Sequence, residues 1–289
     1  MGIEVWAQAV LNGLMSGWIY VLIAVGLTLV LSIAGIMQMA HGEMYMLGGY
    51  FVYYFVSSFG LHFLVALVLS AAVVGVLGVI IERVLYRPFR HGDFLPMVIV
   101  AIGLMIFLQN STVLGFGSSQ KVVKSPFPGV LNVAGLIMSY ERLVIIAVSV
   151  VFVAGLLYFI HRTKSGQAML AVSQDLDAAA LQGIDANRVS SIAMFLGCAM
   201  AAIAGGLMGA VFALSPYMGG FALMKGIAVI ILGGLGSITG ALVGGLILGM
   251  IDGVVPAFLN LHMASLAGFL IIIITLVFRP EGILGRPEK

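Results

Sequence analysis

Charge is what this sequence has least of. Of 289 residues only 8% are Asp, Glu, Lys or Arg, where a soluble domain uses roughly 25% to cover its surface. None of the four occurs in 5–40, 44–81, 94–120, 143–160, 189–224, 226–251 or 253–278. That shortage excludes a soluble domain. Net charge is only +2 and the basic residues fall in short clusters, which excludes the broad basic surface that nucleic acid requires. Cysteine occurs once, so neither an internal disulfide nor a cysteine-built metal cage is possible. Cys198, among Gly197, Ala199 and Ala201, reads as a packing thiol. Catalytic signatures are missing too. Lys164-Ser165 lacks the glycines of a phosphate loop, and Lys225 is followed by Gly226 rather than by Ser or Thr. There is no nucleophile elbow and no His-Glu-x-x-His helix, and the five histidines are scattered. The chain is therefore read as no enzyme and as holding no cofactor or metal; any ATP use belongs to another polypeptide.

Hydrophobic residues make up 62% of the chain. They run continuously, which indicates membrane helices; barrel strands would alternate apolar and polar. A helix needs about 20 apolar residues to cross the hydrocarbon core, so about eight to ten crossing or re-entrant segments fit. Residues 5–40 are too long for one straight span and are expected to break near Gly35 and His41-Gly42-Glu43. The expected helices are 5–31, an interrupted segment at 36–57, then 61–81, 94–116 and 143–160, with three or four more in 189–278. The first residues lack Lys and Arg and the apolar run is long, so the first span is read as retained rather than cleaved. The fold class is an all-α polytopic membrane bundle. It is read as one transmembrane domain over 1–289, with a cytoplasmic loop at 161–188.

Basic residues in short loops mark the cytoplasmic side. Arg83, Arg87 and Arg90 mark one loop, Arg162, Lys164 and Arg188 another, and Arg279, Arg286 and Lys289 place the C-terminus inside. The stretch 117–142, with Pro126 and Pro128, then lies outside, against the mild dissent of Lys121, Lys124 and Arg142.

Ionisable groups inside membrane segments are costly and mark a cavity, a pathway or a partner. His41, Gly42 and Glu43 form one such place, where Glu43 either caps its own helix start or lines a path. Lys225 is expected to reach towards an interface and Asp252 to sit near a helix end; both stay candidates for the path. Gly236, Gly240 and Gly244, and likewise Gly245, Gly249 and Gly253, recur every four residues, which on a helix makes a flat ridge for close packing. The glycine-rich breaks at 35–49 and 219–240 resemble each other weakly, as internal repeats beside a transport path do. Within 161–188, Asp175 and Asp177 suit a helix start and Gly183 its end. Leu176, Ala179 and Ala180 share a face that either docks a cytoplasmic partner or lies on the bilayer.

The stretch Asp177-Ala178-Ala179-Ala180-Leu181-Gln182-Gly183 resembles the Glu-Ala-Ala-x-x-x-Gly signature of ABC-importer permeases, with Asp in place of Glu. The resemblance extends over the whole chain to the Liv-type permeases of branched-chain amino-acid importers. It is carried by NGLMSGWIYVLIAVGLTLVLSIAGIMQMAHGEMYMLGGY (12–50), IERVLYRPFR (81–90), AIGLMIFLQN (101–110), QDLDAAALQGIDANRV (174–189), ILGGLGSITGALVGGLILG (231–249) and the closing VFRPEGILGRPEK. Met37-Gln38-Met39 departs from the commoner Ile-Asn-Phe. The resemblance implies a permease subunit in the bacterial inner membrane working with two cytoplasmic ATPases, which bind ATP and Mg. A second, homologous permease and a periplasmic binding protein complete the set. It also implies that Asp175, Asp177, Ala178, Ala179, Leu181, Gly183 and Ile184 form the coupling helix. Related permeases for urea or short amides share these motifs. A self-sufficient secondary transporter using Glu43, Lys225 and Asp252 is the rival from another class.

Overall fold

The computed structural model describes residues 3–89, 94–124, 127, 129–133 and 136–285. Arg90, Pro126, Pro128, Arg286 and Lys289, used above for loops and orientation, lie outside that set. The described elements are α1 (Ile3–Ala34), α2 (His41–Phe59), α3 (Phe63–Ile81), α4 (Phe94–Phe116), strands β1 (Val130–Val133) and β2 (Leu136–Ser139), α5 (Tyr140–Arg162), α6 (Lys164–Gln174), α7 (Leu176–Leu181), α8 (Ala186–Gly209), α9 (Met218–Gly233), α10 (Ile238–Phe258) and α11 (Leu261–Phe278). Among them α1, α3, α4, α5, α8 and α10 are long and apolar enough to cross a bilayer. The chain is a multi-pass helical membrane protein.

The expected break falls at Gly35, whose φ of 67° is a left-handed value that costs glycine little. α1 ends at Ala34, three residues later than anticipated, and a non-helical stretch closes in a turn at residues 39–40 before α2 begins at His41. Residues 189–278 hold four helices, the upper end of the expected range. Three features went unread in the sequence. The first turns of the loop after α3 stay helical, with one wide π turn at Glu82–Tyr86. α6 packs Gly166, Met169 and Val172 inward after Thr163 caps its start, accepting from Gly166 N–H at 3.0 Å. An antiparallel hairpin, Val130 opposite Ser139, interrupts the stretch before α5.

Burial sorts the helices into layers. The apolar windows of α1 and α8 are 83% and 72% buried, whereas those of α4 and α5 are each 28% buried. Leu95, Ile99, Ile106 and Phe107 on α4, and Leu266, Leu270 and Ile273 on α11, stay exposed, as lipid-facing or partner-facing residues do. α1 and α10 run antiparallel in close approach. A Cβ on Gly13 would stand 2.9 Å from Met250 Cα, and one on Gly17 would stand 3.2 Å from Leu246 Cα. One on Gly249 would overlap the Gly17 backbone. Without a hydrophobic force between helices in lipid, this proximity supplies the van der Waals contact that holds them.

One end of the bundle gathers the tips of α1 and α5, helix α6 and the α9–α10 turn around a cavity of about 380 Å³. Here the final described segment pins α9: the N–H groups of Ile283 and Leu284 donate to the carbonyls of Leu232 and Gly233 at 3.0 and 2.9 Å. The other end holds the hairpin and the Lys121–Leu214 backbone bridge.

Replacing Gly249 with Leu should destabilise the detergent-purified protein by about 3 kcal/mol, as overpacking does. Gly103→Ala on α4, where an added Cβ meets no neighbouring helix within 4 Å, should cost no stability. Thermal unfolding of the two variants side by side checks the contrast.

Candidate functional site

Two short helices begin inside the bundle. α9 has 16 residues, about 24 Å at 1.5 Å per residue, less than the roughly 30 Å core. α2 and α9 pass antiparallel at their starts: Gly42 meets Gly219 and Leu223, and Gly49 meets Met218. The two glycine-rich breaks are thereby brought into contact. Any side chain at Gly42 would collide with the Gly219 carbonyl, so small residues are required on both helices.

Glu43 sits at this crossing and is 1% exposed. It makes no capping bond to its own helix, whose N-cap residue is Ala40. Its carboxylate lies against α9 instead, with Oε1 2.8 Å from where a Gly219 Cβ would stand, and Oε2 has no hydrogen-bond partner. The N-cap residue of α9, Tyr217, supplies no side-chain cap, so a carboxylate rests beside the positive end of a helix dipole. His41 is fully buried; its Nδ1 lies 3.3 Å from Gln38 Oε1, and Nε2 is unpartnered. Its Nε2 points towards α1, 3.3 Å from where a Gly26 Cβ would stand.

Lys225 does not stand apart as expected but turns to Asp252, which lies six residues before the end of α10. Lys225 Nζ lies 2.6 Å from Asp252 Oδ2, joining α9 to α10. The Tyr20 hydroxyl donates to the same oxygen at 2.7 Å, adding α1. Burial explains the correction: inside a bilayer two opposite charges find each other before either finds water. Nothing in the sequence separated Tyr20 from other tyrosines, and a separation of 27 residues across a turn gives no helical phase.

The glycine ridge needs one correction. Gly240 and Gly244 face Gly233 and Val229 of α9, while Gly245, Gly249 and Gly253 face Val21, Gly17 and Gly13 of α1. Gly236 is not on the ridge: it precedes α10 in a turn, at φ 79°, and its carbonyl accepts from the Ser32 hydroxyl at 3.2 Å.

At the α6–α7 end, the Asp175 carboxylate accepts from Ala178 N–H at 2.9 Å and caps α7, with Asp177 in the first turn. Gly183 turns the chain away at φ 79°. Ala179 faces the opposite way from expectation: it is 4% exposed and packs into the bundle, because the six-residue α7 must rest on something. Asp177, Ala178, Ala180 and Leu181 form the exposed side, with Leu181 88% exposed, and Ile184 is half-buried. Sequence reasoning also missed a cluster nearby. Arg87 pairs with the buried Glu82 at 2.8 Å, and Ser191 of α8 donates to the same carboxylate oxygen at 2.8 Å. This ties α8, just beyond α7, to the end of α3.

With this geometry in hand, comparison with known proteins is informative. A family described as the permease component of the branched-chain amino acid transport system matches residues 9–278. The chain is 37% identical to the high-affinity branched-chain amino acid transport system permease protein BraD of Pseudomonas aeruginosa, covering 98% of this chain and 97% of that one. It is also 37% identical to the corresponding LivH of Escherichia coli K12, over 97% and 96%. LivM of Salmonella typhimurium is 24% identical over 93% of this chain and 69% of its own length. No solved structure matches.

Asp252→Ala leaves Lys225 buried without its partner and should cost about 3 kcal/mol. Lys225→Met combined with Asp252→Ala should recover about half of that loss. Unfolding of both variants in the same detergent measures the difference.

Proposed function

The chain belongs to the branched-chain amino acid transport permease family, and from that premise we propose that it is the membrane subunit through which an ATP-driven importer moves branched-chain or related amino acids across the bacterial inner membrane. The observation that carries this reading is the 37% identity to BraD and LivH across almost the whole of each chain. Two cytoplasmic ATPases hold the ATP and Mg; a homologous second permease pairs with this one, as the similarity to LivM supports. A periplasmic binding protein delivers substrate at the hairpin end. Residues 1–289 act as one transmembrane domain with its C-terminus in the cytoplasm.

The exposed side of α7 supplies the docking surface. Leu181 offers an apolar knob beside Asp177, and Gly183 lets the chain leave at once. Force on α7 passes directly into α8, whose start Asp185 caps by accepting from Asn187 and Arg188 N–H at 2.9 and 3.3 Å. The Arg87–Glu82–Ser191 cluster carries it to α3. α8 rests without intervening side chains on α2 at Gly48 and Ala202, so its movement reaches the Gly42–Glu43 crossing. ATPase closure shifts the permease only to the extent that the ATPases bind its two states unequally. Glu43, His41 and the Lys225–Asp252 pair then line or gate the path.

Leu181→Asp should abolish copurification of the ATPases while leaving membrane insertion intact; a complex that survives purification counts against docking through α7. Glu43→Gln should lower ATP-dependent leucine uptake by proteoliposomes at least tenfold without loss of assembly. Leucine flux through this chain alone, driven by an ion gradient, would favour a self-sufficient transporter instead.

A further inference from the structure

The Lys225–Asp252 pair lies within apolar helices yet is not sealed. Asp252 is about 21 Å along α10 from Ile238, and Tyr20 is about 21 Å along α1 from Ala34, at 1.5 Å per residue. Asp252 is then about 9 Å from the other end of α10 at Phe258, within the apolar span rather than at its tip. Even so, each side chain of the pair keeps 15% of its surface open. Beside Lys225 is a cavity of about 170 Å³ between α9, α10 and α11, whose wall includes Lys225, Phe221, Ala228, Ser265 and Phe269 but not Asp252. A second cavity of about 160 Å³, against Met37, Leu223 and Ile227, has no charged residue in its lining. Charges exposed to hydrocarbon are expensive and so face water or protein. This face of the bundle therefore borders the path or the second permease, not lipid.

We propose that the pair and its cavity form a transit subsite for a zwitterionic α-amino acid with an aliphatic side chain, a reading that rests on the amino-acid permease function above. The substrate carboxylate takes Lys225, its ammonium takes Asp252, and its side chain enters the cavity. Empty, the two protein charges satisfy each other. Occupied, they exchange one opposite charge for another, so no charge is stranded in either state. The exchange is nearly balanced, which suits a site that must release what it binds. Tyr20 holds Asp252 in place while Lys225 turns to the substrate carboxylate, and the rings of Tyr20 and Phe221, each 5.5 Å from Nζ, steady its ammonium during the exchange. A molecule carrying only one of the two charges would leave its counterpart buried and unpaired, and is excluded for that reason.

The test uses the complete complex, with both permeases, the ATPases and the binding protein, in proteoliposomes, reading L-leucine imported per ATP hydrolysed. Lys225→Asp with Asp252→Lys restores an ion pair. Three attachments fix the hand at Cα, however, and with the two charges exchanged the site fits the mirror image. The exchanged complex should stay at least tenfold below wild type in leucine per ATP. A return to the wild-type ratio means a structural clasp and overturns the subsite alone. Ala228→Leu fills the cavity with both charges in place and should also lower the ratio at least tenfold; a wild-type ratio there overturns the proposal even where the exchanged pair does not assemble. Vesicles without phosphatidylethanolamine cover the other source of paired ammonium and anion: a wild-type complex falling to the variants' level in them assigns the pair to a lipid headgroup and overturns the proposal. A wild-type complex that imports no leucine overturns the amino-acid reading itself and the subsite with it.

Discussion

Gly42 resting on Gly219 is the contact on which the rest of the architecture depends. A helix that starts inside a bilayer leaves N–H groups with no partner in lipid, and such an end is tolerated only where protein surrounds it. α2 and α9 both start there, and each shields the other. α1 and α8, the most deeply buried long helices, close around the crossing, and the outer helices α4, α5 and α11 face outward. The glycines at Gly26, Gly48, Gly197 and Gly205 serve the same end, letting α1, α2 and α8 approach backbone to backbone.

Electrostatics follows from that arrangement. A break in the membrane creates polar space, and polar space is where a carboxylate or an ammonium is tolerated. Glu43 occupies the break itself. Lys225, seven residues into α9, reaches the neighbouring helices, where Asp252 and Tyr20 meet it. The short helix is thus held at its start by packing, at its middle by charge, and at its end by the hydrogen bonds of residues 283 and 284.

Much of this was legible in the residues. The break at Gly35, the helical class and the capped helix between Asp175 and Gly183 could be read because glycine, capping carboxylates and long apolar runs act locally. What escaped was non-local or too short to have a phase. The pairing of Lys225 with Asp252 depends on how two helices rotate against each other. The inward turn of Ala179 could not be read from six residues, because less than two turns show no stripe. Gly236 imitated the ridge by continuing its spacing of four, while the left-handed backbone there placed it in a turn. α6, rich in Ser, Gly and Gln, looked like loop because its apolar side is only three residues wide.

The hydrogen bonds from Ile283 and Leu284 to the end of α9 carry an implication for biogenesis. The carbonyls of Leu232 and Gly233 emerge from the ribosome long before their partners, and α10 and α11 must be made and inserted in the interval. The terminal turn of α9 therefore stays unfinished until residues 283 and 284 have been made and fold back onto a helix laid down earlier.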